Sequence, residues 1–135
     1  MKRLIIAAIA AMAIVTAKAQ NWQYNAVAKA ERNMQTGEYQ QATPQDLKIV
    51  RTANQSVLIG NKKYTVVRID ESIRTDSLES TQFTTNDPAG NEFVIKFEHD
   101  PWEKTELLKW RVILMNTAHP YDWTYYFCRK PLEFE

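Results

Sequence analysis

Cys128 is the only cysteine in 135 residues, so no disulfide can form within the chain. Stability has to come from a packed core. Only two histidines are present, His99 and His119, and neither has a spaced partner of the kind zinc sites use, so the sequence implies no metal and no cofactor. Nucleophile-elbow, phosphate-loop and metal-binding-helix motifs are missing as well. After residue 19 no segment is apolar for the ~20 residues that a helix needs to span a bilayer. No internal repeat or low-complexity tract interrupts the chain.

What is present begins with an export signal. Lys2 and Arg3 supply a positive start, Leu4 to Val15 an apolar stretch, and Ala17-Lys18-Ala19 the small residues of a cleavage site, which predicts cleavage before Gln20. Gln20 rather than cysteine stands directly after the signal, so a lipid-anchored amino terminus is not expected, and the reading is a periplasmic or secreted protein that does not span the membrane. A signal ending in Ala-Lys-Ala before Gln resembles those of exported Bacteroidota proteins; the resemblance is confined to the part expected to be removed and names no family. Removing Lys2, Arg3 and Lys18 with residues 1–19 leaves 14 of the 17 basic side chains against 16 acidic ones, a formal charge of −2 over 116 residues. That balance favours neither nucleic acid nor an anionic membrane as a partner. The remaining length suits one domain with its own core.

Three regions are expected: the signal over 1–19, an amino-terminal helix and connector over 20–45, and an antiparallel β domain over 46–135. Residues 25–36 read as a short helix, with Asn25 as cap, Ala26, Val27, Ala30 and Met34 along one stripe and Gly37 at the end. From Asp46 the pattern changes to period two, with seven strands near 46–52, 55–60, 62–69, 80–85, 92–99, 107–116 and 121–130. Between them, 68–81 mixes charges of both signs and reads as a solvated, mobile connection. Within it, Asp76-Ser77-Leu78 resembles the acceptor of Bacteroidota protein O-glycosylation. Asp100 and Pro101 can start at most one helical turn before the strand that follows. The fold class is therefore mainly β: an antiparallel meander, as a twisted sheet or partly closed small barrel, with one short helix packed on it.

Turn chemistry fixes two hairpins. Gly60-Asn61 suits a two-residue turn with glycine at the first central position, which sets Val57 opposite Tyr64. Asp87-Pro88-Ala89-Gly90 suits a type I turn and puts Phe83, Phe93, Ile95 and Phe97 on one face. A third hairpin is argued from side-chain pattern alone. With Thr117 to Pro120 as loop, Leu114 faces Trp123, Val112 faces Tyr125 and Trp110 faces Phe127.

The functional candidates come from the same region. Residues 121–127 hold five aromatic rings. Read as a platform or cavity wall, Trp110, Tyr121, Trp123 and Tyr125 are candidate ligand contacts; read blandly, they are a core face. Glu98, His99 and Asp100 form the densest ionisable group, with His119 as a distant fourth candidate. Adjacent strand residues point to opposite faces, which makes a shared metal awkward for them. Cys128 has Lys109 and Lys130 nearby in the expected pairing but no base in sequence, so it reads as a buried small residue. The leading expectation is an exported, non-enzymatic binding or interaction module whose ligand is a glycan fragment, a small apolar molecule or an envelope protein. A hydrolase built on Glu98, His99, Asp100 and His119 is one alternative. A structural subunit of an envelope assembly that uses a sheet edge is the other.

Overall fold

The computed structural model describes residues 21–134, so the expected signal and its cleavage point lie outside the described residues. The strands are β1 (Asn21–Asn33), β2 (Thr43–Thr52), β3 (Ser56–Ile59), β4 (Lys62–Arg74), β5 (Glu79–Asn86), β6 (Glu92–His99), β7 (Trp110–Asn116), β8 (Asp122–Cys128) and β9 (Leu132–Phe134). A single helical turn, α1 (Glu106–Lys109), precedes β7. Strands β1 to β8 form an antiparallel meander that closes completely, because β1 pairs with β2 on one side and with β8 on the other. β9 adds a ninth strand along β1, beyond the point where β8 ends. Eight strands make a barrel just wide enough to be filled by side chains or to hold one small ligand.

Alternation decides what lies inside. Ile49, Val57, Phe83, Ile95 and Val112 point inward from five different strands and are fully buried. Each such side chain contributes roughly 1.5–3 kcal/mol on leaving water. Around them Phe83 meets Phe97 edge to face, and Tyr64 meets Phe93 in the same way, with ring centres 6.0 and 5.1 Å apart. The expected hairpins hold: Val57 pairs with Tyr64 across a turn where Gly60 has a φ of 61°, and Phe83 pairs with Ile95 across the Asp87 turn. A Cβ on Gly60 would also come within 3.1 Å of the Leu47 side chain, which would have to give by a few tenths of an ångström, so the positive φ is the stronger reason for glycine here.

Residues 25–36 are not a helix packed on the sheet. Most of them belong to β1, the closing strand. An irregularity between Ala26 and Ala28 shifts the pairing with both neighbours. It turns the even-numbered residues from one face of the strand to the other, and Ala26, Ala28 and Ala30, strong helix formers, make the run look helical locally. Before the shift, Tyr24 and Ala26 join the barrel core; after it, Ala28 and Ala30 join a second cluster with Ile113, Tyr125 and Phe127 on the outer face.

The third hairpin is displaced by one residue from the expected register. Met115 pairs with Trp123, Ile113 with Tyr125, Val112 with Tyr126 and Trp110 with Cys128. The inward residues are thus Tyr126 and Cys128, while Trp123, Tyr125 and Phe127 face out. The apolar rule fails here because β1, α1 and the Tyr39 loop cover the outer face, so both faces of the hairpin are apolar. Residues 68–81 are also not a loose connection. They are the long arms of the β4–β5 hairpin around a tight Thr75–Leu78 turn, exposed but paired. Residues 107–109 belong to α1 rather than to a strand, the last expected strand, 121–130, is β8, and β9 beyond it is an additional strand that the sequence pattern did not suggest. Among the described residues no helix is long and apolar enough to cross a membrane.

A candidate ligand site in the barrel mouth

The two ends of the barrel differ. At one end lie the Gly60 and Asp87 turns, where the Lys62 ammonium sits 5.4 and 5.1 Å from the centres of the Tyr64 and Phe93 rings and 3.2 Å from the Asp87 carboxylate. At the other end the interior opens into a cavity of about 280 Å³. The opening follows from strand lengths. β3 has four residues and pairs with β4 only as far as Thr65, so among the described residues β4 from Val67 to Arg74 has β5 on one side and no strand on the other. Two register shifts within β4 bend this part of the wall.

The floor of the cavity holds a cation. Leu47, Ile49 and Arg51 alternate along β2 on its inward face, and Arg51 follows the apolar pair into the mouth. Its guanidinium carbon lies 5.0 Å from the centre of Phe83 and 5.1 Å from that of Phe97. One of its nitrogens donates to Asn54 Oδ1 at 2.8 Å, and the Tyr24 phenol lies beside it. Burial pushes the Tyr24 phenol up to about 12 despite the nearby guanidinium, so that it stays a protonated hydroxyl. Asn54 is held by a turn in which both Ala53 and Asn54 are left-handed, with φ of 47° and 60°. For alanine this conformation is strained by roughly 1–2 kcal/mol.

The walls are flat. His99 and Trp110 are cross-strand partners, and their rings stack with centres 3.6 Å apart and planes 2° from parallel. Burial lowers the His99 pKa against the opposing pull of Glu79 and Asp100, so the ring is neutral at neutral pH. Glu79 Oε1 lies 3.9 Å from His99 Nδ1. Trp22 stands on β1 as the partner of Arg51. The rim is tied across the top: the Trp102 indole donates to the Asp76 carbonyl at 2.7 Å, linking the segment before α1 to the β4–β5 turn.

Of the residues singled out in the sequence, His99 and Trp110 meet in this mouth, and Glu98 borders it. The Glu98 carboxylate itself is engaged by Lys96 and Arg111, at 3.2 and 3.1 Å. Asp100 caps the following turn by accepting from the Trp102 amide at 3.0 Å. His119 and Tyr121 lie exposed in the β7–β8 loop at the opposite end of the barrel, so the four polar candidates do not converge. Trp123 donates its indole N–H to Pro120 at 2.8 Å on the outer face. Tyr125 is buried in the outer cluster, where its hydroxyl accepts from Arg32 at 3.2 Å. Cys128 is fully buried in the core, and burial pushes its thiol up to about 12, the reverse of nucleophile activation.

Trp22, Tyr24 and Arg51 were not legible as site residues. The first two lie just before the segment that reads as a helix, in a stretch where no strand is expected. Arg51 reads as a solvent-facing charge unless its parity with Leu47 and Ile49 is noticed, and that parity was the available signal. A second concavity lies outside the barrel, where Ala30, Tyr39, Leu107, Leu108 and Phe127 frame an apolar groove of about 380 Å³. The mouth combines flat apolar walls with a few convergent polar groups, which is the chemistry of small-molecule sites. No family model matches the chain, and no curated protein or solved structure is similar enough to lend it a function, so the functional reading rests on the barrel mouth itself.

Proposed function

We propose that the protein is an exported, non-enzymatic binding module that takes a small molecule into the mouth of its barrel. One observation carries the reading: the interior is packed at one end and opens at the other into a cavity lined by Trp22, Tyr24, Phe97, His99 and Trp110 above Arg51. A barrel that served only as a structural block would gain by filling that space. The aromatic walls suit either an apolar ring system or the apolar face of a sugar. Export rests on the Lys2-Arg3 start, the apolar stretch and the Ala17-Lys18-Ala19 site, and mass spectrometry of the protein from its cells should show Gln20 as the first residue.

Tryptophan fluorescence and melting temperature, followed during titration with a panel of oligosaccharides and a panel of small aromatic and aliphatic molecules, test the binding reading. Trp22 and Trp110 stand in the mouth and should report occupancy directly. A ligand present at 100 times its Kd should add about 2.7 kcal/mol of stability. Silence of both signals across both panels would remove the small-molecule reading. A second reading, an assembly subunit that pairs through a sheet edge, is favoured by the unpaired side of β4, where Val67 and Ile69 are about half exposed. A monomer in sedimentation at micromolar concentration, with no crosslinked partner from its cells, would count against it.

A further inference from the structure

We infer that the mouth is selective for a monoanionic, carboxylate-bearing ligand with a flat apolar body, its carboxylate seated on Arg51 and its body against the Trp110–His99 wall. The inference rests on the small-molecule reading above and specifies the chemical class of that ligand.

The first ground is the state of Arg51. It is drawn into the barrel between two phenylalanine rings, and it forms no ion pair among the described residues, whereas Lys62, Arg68, Lys96, Lys109 and Arg111 each have a carboxylate partner. Taking a charge out of water costs several kcal/mol unless it is paired, and a cation–π contact returns only about 0.5–2 of them. Asn54 accepts one of five N–H donors, and the phenol of Tyr24 adds a hydroxyl that stays protonated. A site of this kind is short of negative charge and rich in donors.

The second ground is the surrounding charge. Around the mouth stand Arg51, Arg74 and Glu79, together with a His99 ring that is neutral at neutral pH. Glu98 faces Lys96 and Arg111 instead. The sum of Arg51, Arg74 and Glu79 is a single positive charge, which matches a monoanion better than a phosphate dianion. A planar guanidinium also fits the two oxygens of a carboxylate in one bidentate contact.

The third ground is shape. His99 and Trp110, stacked 2° from parallel with centres 3.6 Å apart, cover one face of each other, so the pair offers a ligand the outer face of one ring in a fixed plane, and about 280 Å³ is at the small end of ligand cavities. An aryl-acetic acid fits these dimensions better than a long-chain fatty acid does.

Calorimetric titration of the purified protein with 1-naphthylacetate, its uncharged amide, and 1-naphthyl phosphate tests the inference. The expected result is that the acid binds at least ten times more tightly than the amide and more tightly than the phosphate. Arg51→Gln should abolish the preference over the amide while leaving amide binding, and Arg51→Lys should retain part of it. Equal affinity for acid and amide in the parent protein would overturn carboxylate selectivity and leave the small-molecule reading standing. Survival of the preference in a folded Arg51→Gln variant would overturn the role of Arg51. A phosphate preferred over the acid would overturn the monoanion assignment. If all three probes and both wider panels fail to bind, the small-molecule reading falls and takes this inference with it. The acid–amide comparison needs no variant, so a failure of Arg51→Gln to fold does not weaken the test.

Discussion

Cys128 Sγ lies inside the barrel 3.6 Å from the Tyr126 carbonyl, with β1 and β7 on either side of its strand. Burial pushes its thiol up to about 12, so Lys109 and Lys130, close in sequence or pairing, do not make it a thiolate. The expected consequence is kinetic. At pH 8 a thiol-disulfide reagent should label the native protein on the order of 10³ times more slowly than the same protein in denaturant, where the pKa returns to about 8.5. A native rate within tenfold of the denatured one would show that the site is open. Arg51 is the opposite case, a charged side chain whose surroundings in the fold differ from those its type suggests. Both positions were present in the strand pattern, but parity alone gives a face and not its surroundings. The expected register sets Cys128 on the face opposite Trp123, Tyr125 and Phe127 and so outside the core, one residue away from the observed pairing, and Arg51 carries no site signal of its own because charge usually marks the solvent side of a strand.

Turns were the most legible elements, because their chemistry is local. The β5–β6 turn shows what that chemistry does. Asp87 is buried, and its carboxylate accepts from the amides of Ala89 and Asn91 at 3.0 and 2.8 Å and pairs with Lys62. Burial alone would raise its pKa, but the donors from Asn91 and Lys62 outweigh it and hold the carboxyl below its ordinary value. The linkage has a definite sign. A folded pKa below the unfolded value of about 3.9 means that the stabilisation is present above that pH and is lost as pH falls through the folded pKa. Asp87→Asn keeps the shape of the turn and removes the charge. It should melt several degrees below the parent at pH 7, and the gap should shrink steadily below about pH 4. A gap that stays constant down to pH 2.5 would mean that the ionised carboxylate is not what matters. By contrast, the β7–β8 register depends on contacts distant in sequence: Ala28 and Ala30 of β1 cover its outer face together with the neighbouring Leu108, and no local signal predicts the cover from β1.

At the scale of the whole molecule, the decisive feature is that the first described strand closes the barrel. A helix resting on a sheet could be removed and leave the sheet intact, though destabilised. β1 cannot, because it carries ladder pairs to β2 and β8, buries Tyr24 and Ala26 inside, and buries Ala30 outside. Without it, β2 and β8 become long open edges beside exposed Ile49, Tyr126 and Cys128. Each lost apolar side chain forfeits roughly 1.5–3 kcal/mol and each ladder bond about 1, against a total stability of only about 5–15 kcal/mol for a domain. A chain shortened to begin after Asn33 should therefore aggregate or lack a cooperative urea transition. A synthetic peptide of residues 20–34, added during refolding, should restore soluble protein with the parent's near-ultraviolet spectrum, because the missing strand has two waiting edges. A shortened chain that melts cooperatively within a few degrees of the parent would show that the barrel does not depend on β1 for closure. The mouth would then lose its Trp22–Tyr24 wall without losing its fold, and ligand binding by that shortened chain would separate the contribution of β1 to the site from its contribution to stability.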